Sequence, residues 1–278
     1  MNREVFAAVA DALERGEPAA LVTIVATRGS TPQRVGAKML VFADGRIVGT
    51  IGGGCYENDA FWKAREAIEQ RRPQLLHYEL SDDFAQETGL ICGGQMDVYI
   101  EPIEPSPELY IIGAGHVGFH LARLAHDVGF RVHVVDDREK FANSERFPTA
   151  VEIVVDEISS WIERTPLPPH AYAVVVTRGH TNDLDAMRTL VPRELRYLGL
   201  IGSRAKVARI YDALTTESIE PEQLTRVHAP IGLDIGAVTP QEIAVSILAE
   251  LIAVKHGKTT GLSLRWLPPQ LHTAKSQR

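Results

Sequence analysis

The 278-residue sequence has little of several features that mark broad classes of protein. It contains two cysteines, Cys55 and Cys92, too few for a disulfide framework and typical of a reducing compartment. No run approaches the roughly 20 apolar residues that span a bilayer. A formal net charge of −7 excludes a basic footprint for nucleic acid. Residues 1–13 carry no apolar run of signal-peptide type. We therefore expect a cytoplasmic protein with neither a nucleic-acid nor a membrane partner.

A cluster of prolines divides the chain. Three prolines lie within Glu101–Glu108, where they favour extended, non-helical backbone and suit a linker. We expect a smaller domain over residues 1–104 and a second domain over residues 105–278.

Hydrophobic periodicity predicts a different organisation in each domain. The first domain is expected to contain helices over 4–15 and 56–70 and strands over 19–26, 38–42, 46–49, 75–80 and 95–101. The second is expected to contain strands over 109–112, 131–135, 151–155, 171–176 and 196–201 and helices over 116–128, 157–164, 183–191 and 203–214. Alternation of strand and helix is typical of a doubly wound parallel sheet. The expected fold class is α/β, a C-terminal Rossmann-like domain with a smaller N-terminal α+β domain.

The last helix has strong terminal signals. Thr239 and Glu242 form a capping-box pattern around Pro240, and Gly257 is expected to end the helix. Residues 258–278 are expected to be a loose tail.

Gly113–Gly118 has the pattern G-x-G-x-x-G between a predicted strand and a predicted helix. Gly113, Gly115 and Gly118 suit a tight turn, close approach of a pyrophosphate and close packing of helix on strand. The helix that opens at His116 offers amide groups to an anion. Asp136, at the end of the second predicted strand, is placed to bind the ribose of a dinucleotide.

Two glycine-rich loops of the first domain carry the two cysteines. One contains Gly52, Gly53, Gly54 and Cys55, and the other contains Cys92 followed by two glycines. The amides of the triple glycine could hold a phosphate or carboxylate, and a helix N-terminus favours a thiolate at Cys55. A cysteine is most often a small buried hydrophobe, so a functional thiol and a core residue remain equal alternatives here.

Further polar residues follow predicted strands of the second domain, where open α/β sheets bind ligands. Arg178 and His180 follow one strand, and Ser203 and Arg204 follow the next. Ser203 also suits a helix cap, and His180 also suits a hydrogen-bonded turn.

Together these motifs resemble the xanthine dehydrogenase accessory factor family of the XdhC/CoxI type. The resemblance rests on Gly29–Pro32, Gly49–Cys55, Cys92–Gly94, Gly113–Gly118, Asp136–Arg138, Thr177–His180, Gly199–Arg204 and Gly232–Gly236. It covers about residues 5 to 257.

The resemblance implies a chaperone for the molybdenum cofactor, as molybdopterin or its dinucleotide form, which it helps to deliver in sulfurated form. The implied partners are a cysteine desulfurase and an apo molybdenum hydroxylase, and a homodimer is left open. Cys55 and Cys92 would contact molybdenum or relay sulfur. A xanthine dehydrogenase itself is not indicated, because the chain is short and has no iron–sulfur cysteine pattern.

Two alternatives remain from the residues. One is an oxidoreductase that binds NAD at Gly113, Gly115, Gly118 and Asp136, with His180 as acid–base. The other is a regulatory module whose Rossmann domain senses a nucleotide, with both cysteines dispensable.

Overall fold

The computed structural model describes residues 2–80, 94–168 and 170–268, and the chain divides into two compact units. The first unit ends at Ser106 and the second begins at Pro107. No helix of the described residues is long and apolar enough to cross a membrane.

The first unit is an antiparallel five-stranded sheet with the strand order β3-β2-β1-β5-β4. Its elements are α1 (Asn2–Arg15), β1 (Ala19–Arg28), β2 (Lys38–Phe42), β3 (Ile47–Gly49), α2 (Gly54–Gln70), β4 (Gln74–Glu79) and β5 (Gln95–Ile103). The buried face of α2 consists of alanines, including Ala60 and Ala64, and these pack with Val22 and Ile24 of β1 in one core. Small side chains let the helix lie close to the sheet.

The predicted linker is partly a strand. β5 continues to Ile103, and Pro102 and Ile103 are aligned with Ala20 and Ala19 of β1. The expectation of a linker from Glu101 onward is therefore wrong for its first three residues. A proline is tolerated in a strand where its missing N–H is not required by the ladder.

The second unit is a parallel five-stranded sheet with the strand order β10-β9-β6-β7-β8. Its strands are β6 (Glu108–Ile112), β7 (Arg131–Asp136), β8 (Glu152–Val155), β9 (Tyr172–Val175) and β10 (Tyr197–Leu200). Its helices are α3 (His116–Asp127), α4 (Ile158–Arg164), α5 (His180–Leu190), α6 (Arg204–Thr216), α7 (Pro221–Leu224) and α8 (Pro240–Lys255). Numbered along this unit, the strands lie in the order 3-2-1-4-5, which is the Rossmann order without its sixth strand.

Helices cover both faces of this sheet. Trp161, Met187 and Ile210, from α4, α5 and α6, belong to one buried cluster, and Leu121 and Ile247, from α3 and α8, belong to another. Every residue of β9 and β10 is accordingly buried, whereas the edge strand β8 has an exposed residue at each end. The predicted α/β fold with a Rossmann-like second domain is confirmed.

The C-terminal helix has the predicted cap, but the residues after it are not loose. The Thr239 hydroxyl accepts a hydrogen bond from the amide of Glu242, and the Glu242 carboxylate accepts one from the amide of Thr239. Beyond the helix, the amides of Leu264 and Trp266 donate to the carbonyls of Gly232 and Ala229. The expected tail is therefore wrong up to residue 268, and residues 269–278 lie outside the described residues.

Candidate functional site

Three motifs of the first unit meet at one place. A Cβ atom added to Gly52 would lie 2.7 Å from Cβ of Pro32, and one added to Gly94 would lie 2.3 Å from the carbonyl oxygen of Ser30. The loop that follows β1 therefore contacts both glycine-rich segments so closely that only glycine fits. Because each motif occurs in a different part of the sequence, their pattern alone did not predict this convergence.

Cys55 is the second residue of α2 and is partly exposed. Gly52, Gly53 and Gly54 precede it with φ angles of 130°, 76° and 74°, a backbone that L side chains rarely adopt. Three successive left-handed residues turn the chain sharply from β3 into α2 and place the thiol in the first helical turn. Its role as a ligand stays a prediction. Cys92 lies outside the described residues.

Glu57 folds back onto this loop. Its Oε2 atom accepts hydrogen bonds from the hydroxyl of Thr50 and from the amides of Ile51 (2.8 Å) and Gly53 (3.1 Å). The amide of Gly52 donates to Thr50 at 3.0 Å. The amides of Gly52 and Gly53 therefore already have partners within the chain. Binding of a phosphate at Gly52, Gly53 and Gly54 stays a prediction, and at Gly52 and Gly53 it would compete with these bonds.

Burial of Glu57 opposes its ionisation, but the hydrogen bonds outweigh burial. Donation from the Thr50 hydroxyl and from the amides of Gly53 and Ile51, with the Gly52 amide close by, holds the pKa of Glu57 below its ordinary value. The loop therefore carries a negative charge that belongs to the chain itself.

In the second unit, the glycines of Gly113–Gly118 divide into two kinds. A Cβ on Gly113 would lie 2.5 Å from the carbonyl oxygen of Val176, and one on Gly118 would lie 2.1 Å from the carbonyl oxygen of Gly113. At Gly115 no described atom lies within 4 Å of the added Cβ. Gly113 and Gly118 thus serve packing within the fold, whereas Gly115 leaves room for close approach from outside, as the pyrophosphate hypothesis requires.

Asp136 is 2% exposed and holds the glycine loop. Its Oδ2 atom accepts hydrogen bonds from the amide of Ala114 (2.8 Å) and from Nη2 of Arg138 (2.9 Å). Its Oδ1 atom accepts from the backbone amide (3.1 Å) and Nε (2.7 Å) of Arg138. Burial opposes ionisation, but donation from Arg138 and Ala114 outweighs it and lowers the pKa of Asp136. A ribose at Asp136 stays a prediction, and it would compete with these four bonds.

Arg146 binds the carbonyl group of the same residue, Ala114. Its Nη1 atom donates to the carbonyl oxygens of Ala114 (2.9 Å) and Phe141 (2.8 Å), and its guanidinium lies near the ring of Phe119. The sequence pattern contained no sign of this role, because Arg146 lies 28 residues beyond the glycine motif in an irregular segment.

An ion pair joins the ends of the strands that flank β6. Nη2 of Arg178, which follows β9, lies 2.8 Å from Oδ2 of Asp137, which follows β7. Since β6 lies between β9 and β7, the pair spans the carboxyl end of the strand that leads into Gly113. Arg178 therefore lies at the predicted ligand-binding edge of the sheet, and its partner was not predicted.

A buried carboxylate connects the next two strand ends. Asp183 is fully buried, accepts a hydrogen bond from the hydroxyl of Thr177 at 2.6 Å and forms an ion pair with Lys206. Ser203 caps α6, as predicted, by accepting from the amide of Lys206 at 3.3 Å. The sequence did contain a signal for the ion pair of Asp183 and Lys206. The two residues have opposite charges, and they lie in the first turns of helices that follow adjacent strands.

The remaining predicted ligands open helices. His116, His180 and Arg204 are the first residues of α3, α5 and α6. Their roles in binding or catalysis stay predictions. Within the described ranges, no group of three or more His, Cys, Asp or Glu residues could hold a metal ion.

Fold and site define a class of protein in which a Rossmann domain follows a smaller domain with a cysteine-bearing glycine loop. The XdhC Rossmann domain family matches residues 109–251, and the XdhC and CoxI family matches residues 12–79. The chain belongs to the XdhC/CoxI family, and the predicted resemblance is confirmed.

Individual relatives agree with this assignment. The uncharacterized protein YqeB of Escherichia coli (strain K12) is 37% identical over 96% of this chain, which spans 49% of YqeB. The molybdenum cofactor insertion chaperone PaoD of the same organism is 22% identical over 308 residues, which cover 91% of this chain and 89% of PaoD. A crystal structure described as a xanthine dehydrogenase from Bacillus halodurans has a TM-score of 0.52 at 24% identity, covering 97% of this chain and 99% of that one. This last likeness concerns the fold.

Proposed function

We propose that this protein binds the molybdenum cofactor, as molybdopterin or its dinucleotide form, and assists its sulfuration and insertion into an apo molybdenum hydroxylase of the xanthine dehydrogenase type. The observation that carries the proposal is the partly exposed thiol of Cys55 on a loop of three left-handed glycines. The relationship to PaoD supports it. The protein acts as a chaperone in the cytoplasm rather than as a xanthine dehydrogenase.

The residues present fit such a ligand in two respects. A thiolate is a soft ligand that suits a sulfur-ligated metal, and the thiol of Cys55 is partly exposed at a helix N-terminus. The amide end of α3, with open space beside Gly115, suits a phosphate or a nucleotide diphosphate. When bound, the cofactor supplies the molybdenum centre that the client hydroxylase uses.

In this proposal Cys55 and Cys92 contact the metal centre or relay sulfur from a cysteine desulfurase. Gly113, Gly115, His116 and Gly118 form a phosphate- or nucleotide-binding loop of the second unit, in which Gly115 faces the ligand and Gly113 and Gly118 shape the turn. The partner proteins are the desulfurase and the apo hydroxylase.

Cofactor retention tests the proposal directly. The purified full chain is incubated with molybdenum cofactor, passed through gel filtration and assayed for molybdenum and pterin. We expect stoichiometric retention by the wild type and loss in Cys55→Ser, with Cys92→Ser measured in parallel. Failure of the wild type to retain cofactor would overturn the proposal.

A second function, NAD-dependent oxidoreduction, is favoured by the central position of β6 and its glycine loop. Calorimetry with NAD and NADH tests it, and no heat of binding at millimolar ligand contradicts it. A nucleotide-sensing regulatory module instead predicts that a Cys55→Ser, Cys92→Ser double variant still supports maturation of a client hydroxylase.

A further inference from the structure

We infer that Glu57 is the positioning residue of the Cys55 loop and that its carboxylate closes the loop's amides to anionic groups, so that a ligand meets the thiol of Cys55 instead. The inference rests on the proposed function in that it concerns the loop proposed to contact the cofactor. It assigns a specificity role to a residue outside the glycine and cysteine pattern.

A single atom holds the loop. Oε2 of Glu57 accepts from the Thr50 hydroxyl and from the amides of Ile51 and Gly53, and Thr50 in turn accepts from the amide of Gly52. Residues 50–53, the four that precede Gly54, are thus hydrogen-bonded either to Oε2 of Glu57 or to the hydroxyl of Thr50. The left-handed glycines impose little conformational preference of their own, so this tie determines where the chain enters α2.

The position of the carboxylate is also the position that an external anion would favour. Amides at a helix N-terminus attract negative charge, and phosphates and carboxylates bind there. Glu57 satisfies this preference from within the chain, two residues after Cys55. Its donors are a hydroxyl and two amides, so its charge is bound by neutral groups. A second anion at these amides would have to displace Glu57 or lie against its charge.

Because all three hydrogen bonds end on one oxygen, glutamine can separate the two parts of the inference. Glu57→Gln keeps an acceptor at the same place and removes the charge. Glu57→Ala removes both. The variants are made in a Cys92→Ser background, where Cys55 is the only thiol of the chain.

The first measurement compares alkylation of Cys55 by iodoacetate, which is anionic, with alkylation by neutral iodoacetamide at one pH. The ratio of the two rate constants is divided by the same ratio for the urea-unfolded chain. We expect Glu57→Gln to raise this normalised ratio about fivefold, because a like charge near the thiol is removed. Glu66→Gln, an exposed glutamate of α2 paired with Lys63, is the matched control and leaves the ratio unchanged.

The second measurement is amide hydrogen exchange of peptides that cover residues 50–57. Glu57→Ala is expected to speed exchange there by about tenfold through loss of the shared acceptor, and Glu57→Gln is expected to restore slow exchange. An unchanged alkylation ratio in Glu57→Gln overturns the anion exclusion. Unchanged exchange in Glu57→Ala overturns the positioning role. Both measurements use cofactor-free protein, so neither outcome depends on whether the cofactor binds.

Discussion

The two glycine loops of this protein have similar sequences but are held in different ways. In the first unit, Glu57 comes from the helix that follows the loop and binds the loop amides with neutral donors only. In the second unit, Asp136 comes from a neighbouring strand, binds the amide of Ala114 and is paired with Arg138. The carboxylate of Glu57 thus accepts hydrogen bonds from two amides of its own loop. The carboxylate of Asp136 accepts one from its glycine loop, and the guanidinium of Arg138 balances its charge.

From this difference we expect the two loops to bind different chemical groups. A loop supported by a neutralised carboxylate keeps the helix N-terminus of α3 open to a phosphate. A loop that contains its own carboxylate offers a side chain, the thiol of Cys55, in place of amides. A high glycine content alone therefore does not identify a phosphate site. Whether the loop amides already have a partner within the chain determines whether a phosphate can bind there.

The largest expected effect separates packing glycines from ligand-facing glycines. Gly118→Ala places a Cβ against a backbone carbonyl that cannot easily retreat, and we expect a loss of about 3 kcal/mol in the free energy of unfolding. Gly115→Ala is the matched control, since its Cβ meets open space, and should cost about 1 kcal/mol or less. Urea unfolding followed by circular dichroism measures both. Equal losses would show that the two glycines do not differ as described.

The next effect tests the support of the second loop. Asp136→Asn removes the charge of a buried acceptor of four hydrogen bonds, and we expect a loss of about 2 kcal/mol at neutral pH. Because the pKa of Asp136 is lower in the folded than in the unfolded state, its stabilisation is present above the unfolded value and is lost as pH falls through the folded value. The melting temperature of the wild type should therefore decrease once the pH is lowered below about 4, and that of Asp136→Asn should decrease less. Parallel pH profiles would contradict this assignment.

A smaller effect is expected in the first loop. Glu57→Ala removes the acceptor of three donors, of which Thr50 and Gly53 are partly exposed and can be reached by water while Ile51 is buried, so the free energy of unfolding should fall by only about 1 kcal/mol. Glu57→Gln, which retains the acceptor, should stay close to wild type in the same urea titration. A larger loss in the glutamine variant than in the alanine variant would show that charge rather than hydrogen bonding holds the loop.

The smallest effect concerns the ion pair above β6. Arg178 is about half exposed, so Arg178→Gln should change the free energy of unfolding by no more than about 0.5 kcal/mol. Any change in nucleotide binding, measured by calorimetry, would then be a local effect at the carboxyl end of β6. A substantial loss of stability would instead place Arg178 in the structural framework.

The sequence predicted the framework of both units because hydrophobic periodicity and helix caps are local signals. The parallel sheet, the capping box at Thr239 and the Ser203 cap follow from residues close together in the chain. The convergence of Pro32 on Gly52 and of Ser30 on Gly94 does not, since it depends on which strands are neighbours. The same holds for Arg146 at Ala114 and for Asp137 at Arg178. The strand at Ile103 and the ordered residues after α8 were missed because proline and polar composition favour irregular structure only locally.

The segment after α8 affects where the C-terminal boundary of a fragment of the second unit should be placed. The carboxylate of Glu250 is 2% exposed and accepts hydrogen bonds from Tyr197, from the amide of Gly232 and from the hydroxyl of Ser263. The matched family region ends at residue 251, before Ser263. A fragment trimmed to that boundary would retain the acid without one of its donors. An expression fragment of this unit should instead extend at least to residue 268.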